Sequence, residues 1–137
     1  MPGQLRLIAQ DEEDLEVISA ALQDAVARVG DITVEPRALT IAFNRYRWEE
    51  GRRMRVRAAL QLGSVEKVKT RNLRREAQDA VLDLLAMTFE RGEVPGGAVV
   101  FTFAGGGDLR VEVECIDAVL ADLSQPWPTP RKPQHEV

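Results

Sequence analysis

Two stretches of this chain alternate apolar and polar residues with a period of two, and such a pattern builds a half-buried strand rather than a helix. Leu39, Ile41 and Phe43 alternate on one side of a polar bend. Met54, Val56, Ala58, Leu60 and Leu62 alternate on the other, and Glu49-Glu50-Gly51-Arg52 between them reads as a four-residue hairpin loop. That loop sets Trp48 opposite Arg53, Tyr46 opposite Arg55 and Asn44 opposite Arg57. Side chains alternate along a strand, so these six share one face, while Ile41, Phe43, Val56, Ala58 and Leu60 point to the core.

The same period recurs elsewhere. Leu5 and Leu7 belong to a short first strand, Ile32 and Val34 to another that Pro36 stops, and Val65 to Thr70 to a third. Val99, Phe101 and Phe103 alternate up to Gly105-Gly106-Gly107, and Leu109, Val111 and Val113 alternate beyond. A phosphate-binding loop needs its glycines between a strand and a helix, and here strands flank them on both sides with Asp108 next. The glycines therefore read as a hairpin turn, where positive φ values are required. Cys115 follows Val113 at strand spacing and reads as a small buried hydrophobe.

One helix stands out. Asp11 caps it, Glu12, Glu13 and Asp14 suit the positive end of its dipole, and Leu15, Ile18, Leu22 and Ala25 keep helical spacing, which predicts a helix over 12–25. Residues 73–89 fit a helix through Leu73, Ala77, Ala80, Val81, Leu84 and Leu85, and Val81 to Phe89 fits equally a strand buried on both faces. Ile116, Val119, Leu120 and Leu123 fit a short helix, or a strand after a bulge. The end of the chain, 125–137, carries four of the seven prolines and reads as an extended or disordered tail after one domain over 1–124.

The residue inventory excludes several chemistries. One cysteine forms no internal disulfide, and one cysteine with one histidine cannot build a His/Cys zinc site. The lone His135 lies in the proline-rich tail, away from any serine or cysteine it would have to activate. No catalytic residue, metal site or cofactor is expected. No secretory signal or membrane-spanning run is read, and the expected compartment is the cytoplasm.

Charge is unevenly spread. Residues 45–76 hold eleven of the eighteen basic residues and four of the twenty-two acidic ones, a net +7 against −11 for the rest. Within this segment Tyr46, Trp48, Arg53, Arg55 and Arg57 form a candidate binding surface on one hairpin face. Aromatic rings among arginines can anchor a protein partner or a second copy of the chain, and less readily grip nucleic acid or another anion. The same arrangement also stabilises a solvent-facing hairpin, with cation–π contact worth about 0.5–1 kcal/mol at an exposed site.

Four stretches carry a resemblance: LRLIAQDEEDLEVISAALQDAVARVGD, FNRYRWE, AVLDLLAM and FAGGGDLRVEVECIDAVLADL. Together they resemble a small bacterial family of unknown function, often encoded near histidinol dehydrogenase in proteobacteria. The resemblance runs from Leu5 to about Pro128 and favours strand over helix for 81–89. It implies no activity and no catalytic residues.

The expectation is an α+β domain, with a mostly antiparallel, strongly curved sheet or small barrel, pleckstrin-homology-like in outline, packed against the N-terminal helix. Its expected role is a non-catalytic interaction module that binds a protein partner through the basic and aromatic hairpin face. The alternatives are nucleic-acid or anion binding there, and a small enzyme that uses buried carboxylates.

Overall fold

The structure, a computed structural model, describes residues 4–47 and 54–128. Its elements run β1 (Arg6–Ala9), α1 (Glu12–Ala21), β2 (Val26–Arg28), a 3-10 turn (Val29–Asp31), β3 (Ile32–Glu35), β4 (Ala38–Tyr46), β5 (Met54–Leu62), β6 (Val65–Arg71), β7 (Val81–Arg91), β8 (Gly97–Phe103), β9 (Asp108–Val113), β10 (Ala118–Asp122) and β11 (Trp127–Pro128). All strand pairs are antiparallel, in the order β1-β10-β5-β4-β2-β7-β8-β9-β6, with β3 beside β4 and β11 beside β5. The sheet is open, ending at β1 and β6, so the small-barrel form of the expectation gives way to the curved sheet.

Curvature has a local cause at β7. Val81–Asp83 pair with β2, whereas the strand from Leu84 onward pairs with β8, and the register shifts between Leu84 and Ala86. A bulge of this kind bends a strand and lets it pass from one packed layer to the next. Two halves result: the β4–β5 half, with β10, β1 and β3, and the β8–β9 half, with β6 and most of β7. Their inward residues meet in one core, where Ile41, Phe43 and Leu60 face Leu84, Phe101, Phe103 and Val111. Leu15 and Ile18 of α1 join it, and each such buried side chain contributes about 1.5–3 kcal/mol of transfer free energy.

Helix α1 begins as its sequence predicts. Asp11 is extended and its Oδ1 accepts from Asp14 N at 2.8 Å. It ends at Ala21 rather than at 25, because the chain turns through Leu22–Asp24, with Asp24 at φ 62°, to enter β2. Leu22 and Ala25 are still buried, so the apolar spacing outlasts the helix that suggested it.

Residues 81–89 are strand, within β7. The short helix offered for 116–123 is not formed; β10 occupies Ala118–Asp122, between β1 and β5. Gly105 and Gly106 take φ of 92° and 95° in the β8–β9 turn, which Phe103 N closes by donating to Gly107 O at 2.9 Å. Cys115 is not an inward strand residue: β9 stops at Val113, and Cys115 sits half-buried in a bend, its Sγ 3.6 Å from Ser64 Oγ. In the proline-rich end, Trp127 and Pro128 are extended and pair with Arg55 and Met54 of β5; residues 129–137 lie outside the described residues. Among the described residues no helix is long and apolar enough to cross a membrane.

Candidate interaction surface

Register builds the outer face of the β4–β5 half row by row. Tyr46 stands opposite Arg55, and Asn44 opposite Arg57, the register that the four-residue loop predicts. Trp48, Arg53 and the loop lie outside the described residues. Arg55 stacks over the Tyr46 ring, 3.9 Å from its centroid, and donates from Nη1 to Asn44 O at 2.9 Å. The ring beneath is buried, so of this pair the guanidinium meets solvent. Arg57 donates to Asn44 Oδ1 and to Asp31 Oδ1, both at 3.1 Å, and Asp31 Oδ2 accepts from Arg28 N at 2.9 Å. Among the described residues Arg57 has an acidic partner, Asp31, and Arg55 has none. A depression of about 310 Å³ opens beside Arg57, lined also by Val26, Arg28, Asp31, Asn44 and Val81.

β11 completes this end of the face: Trp127 lies opposite Arg55, on the other side from Tyr46, and is 37% exposed. Leu123 N donates to Arg57 O at 2.6 Å, and its side chain is 60% exposed. The next row across the strands is Ala42, Ala59, Ala121 and Arg6. Beyond it come Thr40, Gln61, Val119 and Ile8, the last 55% exposed. Glu35, opposite Ala38, and Asp117, whose carbonyl accepts from Gly63 N, mark the far end. An antiparallel sheet with a solvated face ordinarily alternates apolar-in with polar-out. Here the outward positions at the centre are alanines.

A further ion pair lies underneath. Arg45 lies between the inward Phe43 and the Tyr46 position, and it is completely buried. Its Nε and Nη2 donate to Asp122 Oδ1 and Oδ2, each at 2.9 Å, and Nη1 donates to Tyr46 O at 2.9 Å. Asp122 Oδ2 also accepts from Leu5 N at 2.8 Å, which ties β1 to the same pair. Arg47 and Asp24 are buried as well. Two arginines of the basic segment are thus interior groups. Strand parity held the signal for Arg45, since Ile41, Phe43 and Arg45 share an inward phase; nothing in the local pattern announces Trp127 as a strand residue.

The β8–β9 half presents the opposite surface. Lys69 pairs with Glu112 at 3.1 Å, Arg71 with Asp108 at 2.6 Å and Arg110 with Glu90 at 2.5 Å. Lys69, Arg71, Asp108, Arg110 and Glu90 line a trough of about 660 Å³ together with Thr88, Val100 and Thr102. The hydrogen bond from Lys69 holds Glu112 below the usual carboxylate range, and that from Arg37 does the same for Glu114. Both shifts favour the ionised form.

A family model described as "Protein of unknown function (DUF2948)" matches residues 5–135. The chain belongs to this family. The match spans the helix, all eleven strands and the segment beyond β11, so the resemblance carried by the four sequence stretches extends through the whole described fold. No curated protein and no solved structure matches the chain.

Proposed function

We propose that this DUF2948 chain is a non-catalytic interaction module that binds a protein partner through the outer face of its β4–β5 half. Tyr46, Arg55 and Arg57 form the basic and aromatic end of that face. The observation that carries the reading is the row Ala42–Ala59–Ala121, with Ile8, Leu123 and Trp127 standing exposed around it. Contiguous apolar surface rimmed by polar groups is what protein interfaces use, with aromatic and arginine anchors. Nucleic acid or another anion at the basic end finds less support, because Asp31 already balances Arg57. A carboxylate enzyme draws no support from the buried Asp122, which Arg45 holds in a bidentate ion pair. For the architecture we propose a pleckstrin-homology-like wrap, supported by the passage of β7 between layers; it carries no function by itself. The cytoplasm is the compartment we propose, in keeping with a single cysteine.

The test immobilises the wild type, Ala59→Glu and Thr102→Glu chains in native extract, each shown to be folded. Retention of a protein by wild type and Thr102→Glu, with loss by Ala59→Glu, is expected. Retention of nucleic acid in place of protein turns the reading to the anion alternative. Equal retention by all three chains contradicts the face.

A further inference from the structure

The outer face of the β4–β5 half is graded along its strands. At one end Glu35 and Asp117 are exposed, and neither has an ion pair among the described residues. Three rows away stand Arg57 and then Arg55, whose described partners, the Asn44 carbonyl and the Tyr46 ring, leave its charge unbalanced. Between the ends lie Ala42, Ala59 and Ala121, then Thr40, Gln61 and Val119, with Arg6 at the β1 margin as the one charge of these two rows. A face with an acidic end, a smooth neutral middle and a basic end is complementary to itself turned end for end.

We infer that the partner of this face is a second copy of the chain, packed face to face and antiparallel about a two-fold axis that crosses the strands near Ala59. The inference rests on the interaction reading above and names its occupant. A two-fold axis makes the interface isologous, so each Glu35–Asp117 end lies over the partner copy's Arg55–Trp127 end and the alanine rows meet in the middle. Sheets pack face to face at roughly 10 Å, a separation that small central side chains permit without bulky interdigitation. Arg6, at the β1 margin, meets its counterpart at the solvated rim, where salt screens the repulsion. Four strands roughly 4.8 Å apart and five outward rows roughly 6.7 Å apart give about 600 Å² per copy. That is near the low end of what specific interfaces bury, the range of weak or transient contacts.

Sedimentation velocity of the purified full chain across a dilution series tests this. A monomer–dimer equilibrium is expected, with the dissociation constant raised about tenfold or more by Ala59→Glu, which places a carboxylate in the apolar middle. Glu35→Arg and Arg55→Glu singly weaken the dimer several-fold, and the two together in one chain restore it. If Arg55→Glu does not fold, Arg55→Gln with Glu35→Gln replaces it, and the expected result is that added salt weakens the wild-type dimer but not this variant. A chain that stays monomeric, a dimer indifferent to Ala59→Glu, or a double reversal weaker than both singles overturns the inference. If the chain is monomeric yet retains a foreign protein in an Ala59-dependent way, the second copy is wrong and the interaction reading stands. Loss of both results removes both.

Discussion

The two halves of the sheet feed the same core with the same alternation, yet one of them also buries an ion pair within it. In the β8–β9 half Phe101, Phe103 and Val111 are inside, and Lys69, Arg110, Glu112 and Glu90 pair in solvent. In the β4–β5 half a bidentate ion pair, Arg45–Asp122, is inside and alanines are outside. The first arrangement is what a solvated sheet face requires, since exposed pairs cost little and keep the surface soluble. The second bears the desolvation of two charges in the interior and keeps its outer charges to the two ends and the β1 margin, a combination that suits a face covered at its centre. The proposed interaction surface on the β4–β5 half rests on this difference.

The contrast can be broken first at its ions. Asp122→Ala removes the carboxylate to which buried Arg45 donates twice and releases Leu5 N, and a loss of about 3 kcal/mol is expected in urea unfolding. Asp108→Ala removes the partner of an arginine that is mostly in solvent, and a loss of at most about 1 kcal/mol is expected. Equal losses would erase the distinction between the halves. Next in size is Gly106→Ala in the β8–β9 turn, where nothing obstructs a side chain and only the positive φ opposes it. A loss of about 1–2 kcal/mol is expected, with the β4–β5 face unaltered in its binding.

The smallest effect is a pH dependence confined to the β8–β9 half and its margin. Lys69 and Arg37 hold Glu112 and Glu114 below the ordinary glutamate range in the folded chain. Their contribution is therefore full above the unfolded-state value and is lost as pH falls through the lowered folded-state values. Both carboxylates are at the surface, so a slight decline of Tm in acid is expected. A Lys69→Met, Arg37→Met chain should lack that part of the decline, as thermal melts across pH will show.

Legibility followed local chemistry. Alternation gave the face of each hairpin residue and the four-residue loop gave the register, while the glycine triplet gave a turn because only glycine takes its φ values freely. The end of α1 escaped the same reasoning, since Leu22 and Ala25 are buried on either side of the stop. At 116–123 the apolar spacing suits both periods, and pairing with β1 and β5, distant in sequence, decides for strand. The candidate surface was legible at Tyr46, Arg55 and Arg57, which one hairpin brings together. Its remainder was not, because Ala121, Ile8 and Trp127 reach the face through long-range pairing.

The most direct measurement is oxidative footprinting of the chain inside its native cell, compared with the purified chain at high dilution. Ile8, Leu123 and Trp127 report the β4–β5 face, while Val17 on α1 and Val94 in the β7–β8 loop are exposed elsewhere and serve as references. The account predicts that the first three are protected in the cell and the references are not. Equal labelling of all five in both settings would contradict it.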